Sequence, residues 1–246
     1  MPEKNLLIGI GDFFFKWRNL AFPVIFAVLF VLFPPPAEYL GAVWIEEAKD
    51  IIAVLIIVAG LAFRSATIGW VYIKRGGLNK QVYADKLVTG GFFGLCRNPL
   101  YVGNMLLFSG IFVMNGQPLA MLFGIGFHYL IYASIIAAEE HYLQNRFGAE
   151  YAGYCARVPR WIPDFTRYKE SIEGMSFSFA RAIAKDYTTI FNACLAMAAV
   201  EMIEHYLHYP WATFVQVSEI SAVLFLILLI PLLAIKSIKR SGGLRS

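Results

Sequence analysis

Residues 105 to 138 contain no Asp, Glu, Lys or Arg. Such a run has room for two apolar helices, and it is interrupted only near Asn115-Gly-Gln-Pro118, where turn-forming residues let a chain reverse. The expected element is a hairpin of two membrane-crossing helices. Its two ends must return to the same side of the bilayer, and both ends are polar. Lys86 to Asn104 precedes the hairpin and Glu139 to Pro163 follows it. Two polar segments distant in the chain are thereby expected to face one another, and any site should lie between them.

The composition agrees with a membrane setting. Hydrophobic residues make up 59% of the chain and charged ones 15%, with mean hydropathy +0.60; a soluble domain of this length would need more polar surface. The expected fold class is therefore all-α, a polytopic transmembrane helical bundle of about six spans with a pocket on the cytoplasmic side. Residues 5 to 18, with Phe13, Phe14, Phe15 and Trp17, suit the membrane interface and feed a first span, Leu20 to Phe33. Lys16 and Arg18 are expected to reach back to the headgroups, and Pro34 to Pro36 to end the helix. That run lacks a small-residue cleavage pattern and is read as a mature span.

The second span covers Ile51 to Phe63, extended back towards Val43, and Gly69 to Gly77 reads as a helix end and turn. The third and fourth spans are Tyr101 to Met114 and Pro118 to Ala138; the fifth and sixth are Thr188 to Ile203 and Phe214 to Ile235. On this map 20 of the 21 lysines and arginines fall on one side, and only Lys49 lies near the other. The opposite side carries Glu38, Glu46, Glu47 and Glu204, with Glu219 close by. Positive charge stays cytoplasmic, so both termini and both polar segments should face the cytoplasm, as in a bacterial inner membrane or its equivalent. The net charge of +4 follows from this asymmetry. No basic stripe with interleaved aromatics suggests nucleic acid. Cys96, Cys155 and Cys194 are odd in number and in no metal-ligand spacing, and read as small apolar fillers.

Within the first polar segment, Arg97-Asn98-Pro99 should expose a helix N-terminus beside a guanidinium, a pairing suited to a carboxylate. The bland alternative is a helix cap and a snorkelling charge. In the second segment, Glu139 and Glu140 sit at the end of a long apolar helix, where carboxylates are costly unless paired or functional. The helix is expected to continue, carrying Glu139, Leu143 and Arg146 on one face; a surface Glu–Arg pair is the simpler account. Phe147, Tyr151 and Tyr154 at helical spacing fit packing as well as a ligand wall. Glu201, Glu204, His205 and His208 have helical spacing that could suit a metal. Beside Tyr206, Tyr209 and Trp211 they read as ordinary interfacial residues, so no metal site is expected. His128 reads as a hydrogen-bonded packing residue, and His141 as solvated or peripheral to the pocket.

The two polar segments together resemble a known family. Thr89-Gly-x-aromatic followed by Arg97-Asn-Pro-x-Tyr-x-Gly103 is similar to the Arg-His-Pro-x-Tyr-x-Gly signature of the isoprenylcysteine carboxyl methyltransferase and phospholipid methyltransferase superfamily. Glu139-Glu-x-x-Leu143, Phe147-Gly-x-Glu-Tyr151-x-x-Tyr154 and Arg157-Val-Pro159 with Pro163 resemble its second block. The resemblance covers about residues 45 to 165. It implies an integral membrane enzyme with a cytoplasmic cofactor pocket for S-adenosylmethionine, acting on a lipid-like or isoprenoid acceptor that enters from the bilayer.

Carried onto this chain, the resemblance assigns Arg97, Asn98, Pro99, Tyr101, Gly103, Glu139, Tyr151 and Tyr154 to the cofactor. Glu140 and Arg157 are then the catalytic candidates, one or other glutamate meeting the cofactor's amino group or sulfonium and Arg157 lying towards the acceptor. Asn98 replaces the family's histidine, but asparagine still donates and accepts hydrogen bonds. The chain divides into 1–42 (interfacial helix and first span), 43–165 (methyltransferase-like core) and 166–246 (two further spans and a basic tail). Tyr154-Cys-x-x-Val-Pro with Ile-Pro163 is also similar to membrane sterol reductases, which bind NADPH; a richer basic set for the cofactor phosphate would be expected of those. A non-catalytic scaffold is the third alternative.

Overall fold

The computed structural model describes residues 6–41, 43–71 and 82–240, and among them the only regular structure is helix. Among the described residues five helices are long and apolar enough to cross a membrane: α1 (Leu6–Leu32), α2 (Val43–Trp70), α4 (Pro118–Phe147), α7 (Phe179–His208) and α8 (Trp211–Arg240). A shorter apolar helix, α3 (Pro99–Asn115), has 17 residues, or about 26 Å at 1.5 Å per residue. Two short helices, α5 (Ala149–Arg157) and α6 (Tyr168–Ile172), lie in the polar region after α4. The protein is a multi-pass membrane protein.

The six expected spans are all present as helices, with shifted ends. The interfacial segment and the first span are one continuous helix, α1. The fourth helix runs on to Phe147, as the Glu139–Leu143–Arg146 spacing requires. The turn expected after Gly69 lies largely in residues 72–81, outside the described residues, as does the end of the basic tail.

The hairpin turn has a local cause. Gly116 takes φ +74°, which L side chains avoid, and its N–H closes α3 on the Phe112 carbonyl. The Asn115 side chain accepts from Gln117 N–H, and the Gln117 side chain accepts from Ala120 N–H to cap α4, whose first residue is Pro118.

Helices in lipid associate by close packing, so their crossings fall at small residues. A Cβ on Gly60 would lie 2.7 Å from the Gly103 carbonyl oxygen, and one on Gly110 would lie 2.9 Å from that of Ala53. These glycines let α2 and α3 touch backbone to backbone. Gly11 does the same for α1 against Ser134 of α4. Around the crossings Phe30, Ile57, Ile111, Phe112 and Val200 bring α1, α2, α3 and α7 into one apolar core. A second cluster, with Phe15, Phe22, Tyr132 and Ile135, joins α1 to α4. His128 is buried among Phe22, Phe26, Phe108 and Phe112, its Nδ1–H donating to the Gly124 carbonyl at 2.7 Å.

Helix α7 is tied in by polar bonds. Arg64 of α2 is buried, and its Nη2 donates to the fully buried Asp186 of α7 at 2.6 Å; its Nη1 reaches the Asn104 side chain of α3. Arg181 caps the end of α2, donating to the carbonyls of Ile68 (2.8 Å) and Gly69 (2.5 Å). At the far end of the bundle Lys49 is buried against Glu46 and Asp50, and donates to the Met114 carbonyl at 2.6 Å. Removing one member of a buried pair strands the other charge, at about 3–5 kcal/mol. Asp186→Ala should therefore lower the melting temperature in detergent sharply, and Arg64→Met with Asp186→Leu should recover most of the loss. An unchanged melt for Asp186→Ala would contradict this role.

Candidate active site

The two polar segments meet first through backbone. Val158 is extended (φ −115°, ψ 124°), and Pro159 and Pro163 keep the chain beyond it out of helix. Asn98, before Pro99, is also non-helical (φ −127°, ψ 48°). The two irregular stretches satisfy each other. Arg97 N–H donates to the Pro159 carbonyl at 2.8 Å, and Asp164 N–H to that of Leu95 at 3.0 Å. The Asn98 side chain adds a bond to the Arg160 carbonyl at 3.1 Å, and the Tyr154 hydroxyl one to Phe93 at 2.7 Å.

Charge is organised on this frame. Glu140 accepts from Arg160 through both carboxylate oxygens, at 2.7 and 3.1 Å, and Arg97 Nη1 stands 3.5 Å away. That Nη1 also donates to the Cys155 sulfur at 2.9 Å, while the buried Nε of Arg97 has no partner. Burial works to discharge Arg97, but the Glu140 carboxylate and Cys155 outweigh it and hold its pKa above the ordinary value. Burial, then the Glu140 charge, pushes the Tyr151 hydroxyl well up, so it stays a neutral donor. Glu139, one residue from Glu140, turns elsewhere: it accepts from the Tyr101 hydroxyl at 2.6 Å, and Arg18 Nη1 lies 3.3 Å from that hydroxyl.

Two cavities flank this cluster. A polar one of about 540 Å³ is lined by Arg97, Cys155, Arg157, Pro159 and Asp164 among others. An apolar groove of about 530 Å³ runs between α3 and α4, along Val102, Leu106, Tyr129, Leu130 and Trp161. Ile162 and Pro163 line both.

The residues named from the sequence are therefore not all in one place. Arg97, Glu140, Tyr151 and Arg157 gather on the polar side, and Asn98 and Pro99 sit buried at the start of α3. Tyr101 and Glu139 form a separate pair towards α1. Tyr154 is buried and engaged with Phe93, and Gly103 lies at the α2–α3 crossing, where its Cβ would meet Arg64. Arg146, expected beside Glu139, is exposed on the surface.

Three site residues escaped the sequence reading. Arg160 stands three residues beyond Arg157 in a non-helical loop, so no periodicity could tell which of the two faces Glu140. Arg18, expected among the headgroups, turns inward. Cys155, expected to be an apolar filler, touches Arg97 and lines the cavity; Cys96 fits that description, being fully buried, with burial pushing its thiol up to about 12. As for Glu201, Glu204, His205 and His208, His208 is turned to the Pro35 carbonyl. No described residues form a group of three or more His, Cys, Asp or Glu able to hold a metal ion.

A sequence model of the phospholipid methyltransferase family matches residues 48–150, which carry α3, α4, Glu139 and Glu140. The nickel-cobalt-cadmium resistance protein NccN of Alcaligenes xylosoxydans xylosoxydans is 30% identical over 168 residues, 66% of this chain and 75% of that protein. The chain belongs to the phospholipid methyltransferase family. It is a methyltransferase.

Two other similarities are shorter. Protein-S-isoprenylcysteine O-methyltransferase B of Arabidopsis thaliana is 36% identical over 78 residues, 32% of this methyltransferase and 40% of the plant protein. The cobalt-zinc-cadmium resistance protein CzcN of Cupriavidus metallidurans is 35% identical over 86 residues, 35% of the chain and 39% of that protein. No solved structure matches the methyltransferase.

The cavity makes a chemical prediction. A thiol with pKa near 12 holds little thiolate and reacts slowly. In the native methyltransferase a maleimide should label Cys155 and spare Cys96, which reacts only after unfolding. Mass mapping that finds both labelled equally in the native protein would contradict the assignment.

Proposed function

We propose that this methyltransferase moves the methyl group of S-adenosylmethionine to the polar head of an acceptor with an apolar chain, at the cytoplasmic face of the membrane. The observation that carries this is the wall shared by the two cavities. Ile162 and Pro163 border the arginine-lined cavity on one side and the apolar groove between α3 and α4 on the other. A molecule with a charged end and a hydrocarbon tail fits such a pair, with the tail reaching the groove from the bilayer.

The residues present suit the cofactor. The polar cavity is within the usual size range of ligand sites, about 300–1,000 Å³. Arg97, whose buried Nε is unmatched, and Arg157 offer cations to a carboxylate. The N-terminus of α3 carries no side-chain cap and begins at Pro99, which leaves the first-turn backbone N–H groups of Leu100 and Tyr101 to offer the same anion. Tyr151 supplies aromatic surface, and the carboxylates of Glu139 and Glu140 favour a positive partner. When bound, S-adenosylmethionine supplies a methyl group already activated by its sulfonium. The protein's tasks are then alignment and exclusion of water. Glu140 holds Arg97 and Arg160 in place, Arg157 draws an anionic head towards the cavity, and the Trp161–Pro163 wall closes the apolar side. Transfer forms a bond from an acceptor heteroatom to the methyl carbon as the carbon–sulfur bond breaks.

Family membership favours methyl transfer over NADPH reduction, and the concentration of lysine and arginine on one side favours a cytoplasmic site. Titration calorimetry in detergent should find saturable binding of S-adenosylmethionine, weakened about tenfold or more by Arg97→Ala and by Glu140→Ala, and no binding of NADPH. Absence of saturable binding to the wild type would defeat the proposal. Leu106→Trp should fill the groove and raise KM for an S-prenylcysteine probe about tenfold, with cofactor affinity unchanged. A KM that does not move would place the acceptor elsewhere.

A further inference from the structure

Helix α1 lies outside the segment matched by the family, which begins at residue 48. Its register against α4 is nonetheless tightly set. Gly11 touches the Ser134 backbone, and Phe15 and Phe22 are buried 5% and 8% exposed, on the same helical face as Arg18, three and four residues away. Phe22 meets Tyr132 at 5.3 Å between ring centroids, and Tyr132 in turn meets Tyr101 at 5.3 Å. Between these anchors the Arg18 guanidinium lies over the Phe15 ring at 4.5 Å, and its Nη1 donates to the Tyr101 hydroxyl at 3.3 Å. The hydroxyl donates onward to Glu139 at 2.6 Å. The chain of donors runs one way, from a fixed cation through a phenol to a carboxylate.

We infer that Arg18 is a positioning residue of the active site, which sets the Tyr101 hydroxyl as a donor to Glu139 and so keeps that carboxylate charged and aimed for the positive end of the cofactor. An arginine has no acceptor, so it can bond the phenol oxygen only as a donor. The phenol proton is then left to Glu139 alone. Without Arg18, the Tyr101 oxygen loses its donor and Glu139 loses the nearest cation of its own cluster, because Arg97 and Arg160 are both committed to Glu140. Helix α1 thereby supplies a part of the site that residues 48–150 lack. Lys16, two residues earlier, shows the contrast: it is exposed and sits over Trp17 at 5.4 Å.

The inference rests on the proposed use of S-adenosylmethionine, and one experiment separates the two. Wild type, Arg18→Lys, Arg18→Met and Phe22→Leu are compared in detergent for melting temperature, cofactor affinity, and kcat and KM with an S-prenylcysteine probe. Arg18→Met should weaken cofactor binding and lower kcat about tenfold, with acceptor KM unchanged. Arg18→Lys should restore most of both, because it returns a donor and a charge. Phe22→Leu, a packing change on the same face, should lower the melting temperature without that pattern. Wild-type binding that Arg18→Met leaves intact, or a loss in Arg18→Met that Arg18→Lys does not repair, would overturn the role of Arg18 alone. A wild type that binds no S-adenosylmethionine would overturn the cofactor assignment and this inference with it.

Discussion

The site depends on two backbone hydrogen bonds, Arg97 N–H to the Pro159 carbonyl and Asp164 N–H to the Leu95 carbonyl. Both join stretches that prolines exclude from helix, and irregular backbone next to a bilayer must find partners within the protein. Once these bonds exist, the positions of Arg97, Asn98 and Arg160 follow from chain geometry. The ion pairs to Glu140, whose members are half-buried, then tighten an arrangement already made. The hairpin of α3 and α4 acts earlier still, since its Asn115-Gly116-Gln117-Pro118 turn brings the two stretches to one end of the bundle.

That hairpin was legible because lipid imposes a severe rule: a charge-free run of this length has few fates, and the turn between its halves is spelled in Gly and Pro. Arg97 and Glu140 were legible for a related reason, as charges at the margin of such a run. Gly103 was legible only in part. A glycine in a motif can serve a ligand or a neighbouring helix, and its close approach to Arg64 and Gly60 across the crossing is visible only in the fold. Arg18 was hidden for another reason. An arginine ahead of an apolar segment carries the same signal whether it snorkels outward or turns inward, and the choice falls to which face of α1 the buried Phe15 and Phe22 select. Cys155 and Arg160 depend on a loop path that no periodic pattern encodes.

The C-terminal helices bear on the site through Arg64. This guanidinium contacts Asp186 of α7, the Asn104 side chain of α3 and, at 3.5 Å, the Leu100 carbonyl. Leu100 and Asn104 flank Tyr101 and Gly103 in the first turns of α3. A buried ion pair adds little net stability against an apolar replacement, because desolvation offsets attraction. Its value lies in specificity of arrangement: α3 can take its place only where Arg64 meets both Asp186 and Asn104. The α7–α8 hairpin is thus mechanically continuous with the helix that carries the motif, although it lies outside the matched residues.

Adjacent glutamates at the end of a membrane helix look redundant in sequence, and the geometry divides them. Successive residues on an α-helix point about 100° apart, so Glu139 and Glu140 cannot serve the same partners. Glu140 faces Arg160 of the loop beyond α5 and Arg97 just before α3, and these two guanidiniums occupy its oxygens. A carboxylate so committed serves as a strut. Glu139 faces α3 and α1, where a neutral phenol is its one hydrogen-bonding partner among the described residues, and it keeps capacity for a further positive group. One acid organises the arginines that attract an anion, and the other remains to meet a cation. A ligand carrying both charges, bound between them, would use the pair in full.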